Sequence, residues 1–195
     1  FRSQLEKDLF FSNFEADFDA ELAQLPASTH TFLISSEHLS SRLQRKQEIQ
    51  RLFNFLKKRF ETTDVICYFR EQFQFALSSY SQIMRGNGTL SLEDYLTESV
   101  TPTKPRYNFY ERASCWADIF GQENCHFRIY DRTHFSEQDI RLDFMQAAWP
   151  TLAFPALDLS RAMSNPSLSA LEAELYRQIN LHIPPGRRRC CHRPQ

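Results

Sequence analysis

Arg70 closes the apolar run Val65-Ile66-Cys67-Tyr68-Phe69, and eight positions later come Ser78, Ser79, Tyr80 and Ser81. A guanidinium presents a fixed fork of donors to a phosphate or sulfate dianion, and a serine hydroxyl adds one more hydrogen bond. If everything between Arg70 and Ser78 were helix, the two would stand about 12 Å apart along its axis. A shared anion therefore requires the chain to turn near Glu71 to Gln74 before the helix begins. The same residues admit a plainer reading, in which Arg70 pairs with Glu71 or another carboxylate and the serines lie on a solvated face.

Glu37 and His38 follow a second apolar run, Thr31-Phe32-Leu33-Ile34-Ser35-Ser36. A carboxylate or an imidazole at such a position can take the proton from an acceptor hydroxyl. Glu37 can equally cap a helix beginning near Ser40. The pair Cys190-Cys191 with His192 has soft donors, but adjacent cysteines chelate one ion poorly and no second pair stands at zinc-site spacing, so no metal is expected. His30, His126, His134, His182 and His192 suggest no cluster.

The elements that position these residues follow from periodicity. Leu5, Leu9, Phe11, Phe14, Phe18, Leu22 and Leu25 recur at helical steps ahead of Pro26, with the phenylalanines read as core. The run 31–36 reads as a buried strand, residues 39–60 as a helix, 64–69 as a second strand and 73–84 as a helix. Ser91 with Asp94, Ser136 with Asp139 and Ser169 with Glu172 have capping-box spacing, each opening a helix. A helix over 108–120 stops at Gly121, and 126–130 is a third strand. Alternating strands and helices make a parallel sheet flanked by helices, an α/β fold, whose ligands bind beyond the carboxyl ends of the strands. Residues 1–185 are expected to form one domain, and 186–195 a basic tail whose Arg187-Arg188-Arg189 either meets an anion or stays solvated.

Composition narrows the functional classes. The 195 residues are 42% hydrophobic and 24% charged, with 18 phenylalanines, which excludes a disordered chain and a disulfide miniprotein. A net charge of -1 supplies no general field for nucleic acid, so an anion site must be local. None of the four glycines falls in the first 85 residues, which excludes a glycine-rich phosphate loop there. No window approaches the roughly 18 apolar residues of a membrane span. Five cysteines without framework spacing point to reduced thiols and a cytoplasmic setting. The chain opens at Phe1, as a fragment or processed product would.

The run Asp64 to Arg70 with Ser78-Ser79-Tyr80 resembles the 3′-phosphate-binding segment of the P-loop-fold sulfotransferases. The segments Phe32 to Leu39, Tyr110 to Asn124, Phe127 to Arg132 and Asn165 to Ser169 are similar, in the same order, to bacterial sulfotransferase-like proteins associated with surface polysaccharides. The resemblance spans about residues 30 to 182. It implies a P-loop NTPase-like fold of sulfotransferase type and transfer of a sulfuryl group from PAPS (3′-phosphoadenosine 5′-phosphosulfate) to a carbohydrate hydroxyl. It implies that Arg70 and Ser78 hold the 3′-phosphate and that Glu37, with His38, supplies the base. Ser79, Tyr80 and Arg85 lie nearby as candidate acceptor contacts, although Tyr80 also fits the packing stripe of its helix. One departure stands out: the Lys-bearing small-residue loop that grips the 5′-phosphosulfate in the family has no counterpart here, as expected if an upstream segment is missing. Two other readings compete. A non-catalytic module could bind a glycan or a partner glycosyltransferase, and a P-loop-fold kinase would use ATP and magnesium, which a strand ending in Ser-Ser-Glu disfavours.

Overall fold

The computed structural model describes residues 3–151, 159 and 167–183. The chain divides into two compact units, Phe1–Glu37 and His38–Gln195.

In the first unit, helix α1 (Gln4–Ala23) is opened by Ser3, whose hydroxyl accepts from the Glu6 N–H at 3.1 Å. The helix forms as its periodicity predicts, but none of its described residues is buried, and Leu5 and Leu9 are 79% and 59% exposed. The expectation of a phenylalanine core is corrected here. Successive helical residues point about 100° apart, so Phe10, Phe11 and Phe14 do fall on one stripe, but that stripe is left exposed. The strand expected over 31–36 is also absent; these residues have no regular structure, and Phe32, Leu33 and Ile34 are exposed. A strand persists through ladder bonds to a neighbour, and three consecutive apolar residues need cover on both faces of the pleat.

The second unit carries the sheet. The single helix expected over 39–60 is split into α2 (Glu37–Arg42, beginning one residue before this unit) and α3 (Lys46–Lys57). The break is held by Glu48, whose carboxylate accepts from the N–H groups of Gln44 and Arg45 at 3.1 and 3.0 Å. Strand β1 (Val65–Phe69) leads into helix α4 (Gln72–Arg85), then α5 (Leu92–Ser99), α6 (Phe109–Phe120) and strand β2 (Cys125–Ile129). The strands pair in parallel from Val65↔Cys125 to Phe69↔Ile129. The described residues thus form a mostly helical α/β protein with a two-stranded parallel sheet.

Packing explains the layout. The apolar faces of α3 and α6 meet through Ile49, Leu56, Trp116 and Phe120, with Phe53 edge-on to Phe120, and Val65 and Phe127 of the strands close against them. A second core joins Tyr80 and Met84 of α4 to Tyr95 of α5 and to Ala173 of α8 (Ala170–His182), which Ser169 opens as its capping box predicts. Asn180 of α8 donates from its amide to the carbonyls of Met84 and Gly88, at 2.8 and 2.7 Å, and so satisfies the end of α4. Helix α7 (Ile140–Ala148) starts later than expected. Ser136–Gln138 form only a 3-10 turn, because Glu137 and Gln138 adopt positive φ of 50° and 60°, and Asp139 caps α7 by accepting from the Arg141 N–H.

A strand end and a cleft

Arg70 leaves the carboxyl end of β1 half-buried, with its guanidinium carbon 4.6 Å from the ring centre of Tyr130, the residue that follows β2. The two positions meet because the parallel register carries on past the sheet: the Tyr130 N–H donates to the Phe69 carbonyl at 2.8 Å. Below them Phe69 stacks on Phe109 at 5.0 Å, and Phe75 stands edge-on to Phe109 at 5.7 Å. The Tyr130 ring restrains the long arginine side chain.

Glu71 does not pair with Arg70. Its carboxylate caps α4, accepting from the N–H groups of Phe73 and Gln74, both at 2.8 Å, and the first of these bonds is the main cause of its lowered pKa. Among the described residues no carboxylate forms an ion pair with Arg70. The same cap makes the turn shorter than expected, since the helix is under way at Gln72 and occupies two of its own N-terminal donors. Ser78 then stands about 9 Å along the axis from Gln72, half-buried. No hydrogen bond joins it to Arg70 among the described residues.

The other expected site residues separate along α4. Ser79 and Tyr80 are buried, and the Tyr80 hydroxyl donates to the Leu90 carbonyl at 2.9 Å, so its packing role is the one realised. Arg85 ends the helix about 20 Å from its start, where its charge helps lower the pKa of Glu172 behind the hydrogen bonds from Ser169. Glu37 and His38 open α2 and are both exposed. Glu37 belongs to the first unit and His38 to the second. Cys67, Cys115 and Cys125 are unpaired thiols, whereas Cys190, Cys191, His192 and the basic tail lie outside the described residues.

Sequence reasoning passed over a cleft of about 520 Å³ on the face of α4 that carries Ser79, Gln82 and Ile83. Its opposite wall is the turn Lys104-Pro105-Arg106-Tyr107, with Gln44, Tyr95 and Ser99 completing the lining. Arg106 donates from Nη2 to the Ser79 hydroxyl at 3.0 Å and lies 5.1 Å from the ring centre of Phe75. Arg112 of α6 holds the turn from behind, donating to the carbonyls of Pro105 and Arg106 at 3.0 and 2.9 Å. Basic residues two apart in a proline-bearing loop were the only local signal, and that pattern is common on surfaces.

Fold and site together describe an α/β domain with an arginine at the end of a parallel strand that has no carboxylate partner among the described residues, and a basic cleft beside the following helix. The chain is similar to a protein of Archaeoglobus fulgidus described as uncharacterized, with 30% identity over 140 residues that cover 71% of this chain and 36% of the relative. It therefore spans little more than a third of that relative's length. No family model matches the chain, and no solved structure matches it.

Proposed function

We propose that this chain is the 3′-phosphate-binding part of a sulfotransferase of the P-loop-fold type, which moves a sulfuryl group from PAPS to a carbohydrate hydroxyl. The observation that carries this reading is the state of Arg70. A half-buried guanidinium at a parallel strand's carboxyl end, restrained by Tyr130 and without a carboxylate partner among the described residues, matches the needs of a phosphate dianion. The diversion of Glu71 to the helix cap supports it, because that carboxylate would otherwise neutralise the arginine.

In the proposed reaction the acceptor oxygen bonds to sulfur as the bond from sulfur to the bridging phosphate oxygen breaks, releasing adenosine 3′,5′-bisphosphate. The hydroxyl proton passes to a general base, for which His38 is the candidate within the unit that carries Arg70. Arg70 and Ser78 hold the nucleotide through its 3′-phosphate and take no part in proton transfer.

The test is calorimetric titration of adenosine 3′,5′-bisphosphate into the 195-residue chain and its variants. Arg70→Ala is expected to weaken binding about 30-fold, equivalent to about 2 kcal/mol for a lost charged contact. Ser78→Ala should cost about fivefold, the value of one neutral hydrogen bond near 1 kcal/mol. Equal affinity of the wild-type and Arg70→Ala proteins would remove Arg70 from the site and overturn the proposal.

A further inference from the structure

We propose that the cleft between α4 and the turn 104–107 binds an acidic sugar unit, with Lys104 and Arg106 receiving its carboxylate or sulfate. As an acceptor site the cleft rests on the sulfuryl-transfer reading; as a binding site it stands on its own geometry. Its volume of about 520 Å³ falls in the range of small-molecule sites.

The charge is one-sided. Among the described residues no Asp or Glu lines the cleft, and neither Lys104 nor Arg106 forms an ion pair. Arg106 uses one of its five N–H donors on Ser79, which leaves an edge of the fork for a ligand. The guanidinium is already oriented by that bond and by Phe75, while Arg112 pins the backbone on which it stands. An anion binding there has little side-chain and loop freedom to remove.

The remaining lining favours a polyol over a nucleotide base. The Gln44 and Gln82 amides and the Ser99 hydroxyl each offer both donor and acceptor capacity, which suits sugar hydroxyls. Exposed Ile83 and Pro105 supply a small apolar surface for the C–H face of a ring. Tyr95 and Tyr107 are buried at 4% and 5% exposure with their hydroxyls 2.5 Å apart, so their ring faces are not available for base stacking.

The experiment compares two probes by calorimetry on the 195-residue chain: a glucuronyl-N-acetylglucosamine disaccharide and its neutral glucosyl counterpart. The acidic probe is expected to bind about tenfold more tightly at low salt, and Lys104→Gln and Arg106→Gln should each remove most of that preference. Lys104 is exposed, so its variant keeps the test meaningful if Arg106→Gln disturbs the packing at Ser79. Adenosine 3′,5′-bisphosphate titration of the same variants should be unchanged, which separates a failure here from a failure at Arg70. Equal affinity for the two disaccharides, no binding of either, or displacement of the acidic one by the bisphosphate would overturn the proposal.

Discussion

Asp143 of α7 accepts from both Nε and Nη2 of Arg128 on β2, at 2.8 and 2.9 Å, in a two-point contact that ties the helix to the sheet. The same carboxylate accepts from the Tyr68 hydroxyl of β1 at 2.6 Å and from the Ser136 N–H at 3.3 Å, and its side chain is only 3% exposed. Both strands and the turn before α7 therefore converge on one buried charge.

Asp143→Ala is expected to destabilise the fold by about 3 kcal/mol, toward the low end for a broken buried pair because Arg128 can turn toward water. Tyr68→Phe should cost about 1 kcal/mol. Urea unfolding of the single and double variants checks both values, and their effects should not add, since the two side chains share one partner. A near-neutral Asp143→Ala would show that the network contributes little to stability.

The same carboxylate gives stability a pH dependence. Burial alone would raise its pKa, yet the hydrogen bonds from Arg128 and Tyr68 outweigh that and hold it below 3.8. A depressed folded pKa stabilises the protein above the unfolded value, and the contribution disappears as pH falls through the folded one. Asp139 and Glu174, both held at about 2 chiefly by hydrogen bonds from Arg141 and Arg177, act in the same direction. Thermal melts should therefore fall steadily below about pH 4, and Asp143→Asn should flatten that acid limb. An unchanged slope in the variant would contradict the assignment.

Gly88 leaves no room for a side chain. A Cβ there would stand 2.3 Å from Cγ2 of Ile83, 2.8 Å from Cε of Met84 and 2.9 Å from the Ile83 carbonyl. Gly88→Ala should cost about 1–3 kcal/mol through overpacking. Asn180→Ala should cost a similar amount, about 1–3 kcal/mol, by leaving the Met84 and Gly88 carbonyls without their amide donor. Chemical denaturation of both variants decides the matter, and wild-type stability in either would contradict this account of how α8 secures α4.

Tyr130 bears on ligand binding through Arg70. Tyr130→Leu should weaken adenosine 3′,5′-bisphosphate about twofold to fivefold, the value of a partly exposed cation–π contact of about 0.5–1 kcal/mol. The fold should be little affected, since the Tyr130 bond to Phe69 runs through the backbone. A calorimetric titration with no loss of affinity would mean that the ring does not orient the guanidinium.

Local signals determined much of this protein. The strand at 65–69 follows from a short apolar run and that at 125–129 from Cys125, Phe127 and Ile129 alternating with His126 and Arg128, and the starts of α5, α6 and α8 follow from Ser91, Asn108 and Ser169, each of which accepts an N–H three residues ahead. These contacts lie within one turn of the chain, where residue type and spacing decide the outcome. Tertiary structure alone decided that Arg70 lies on Tyr130, that Arg106 meets Ser79 across 27 residues, and that Tyr68 reaches Asp143 across 75. It also decided against a strand at 31–36, whose apolar residues fit the pattern but lack the partner ladder that makes an extended segment a strand. The division has one physical cause: helix caps and periodicity are satisfied within a few residues, whereas sheets, ion pairs and clefts depend on groups that folding must first bring together.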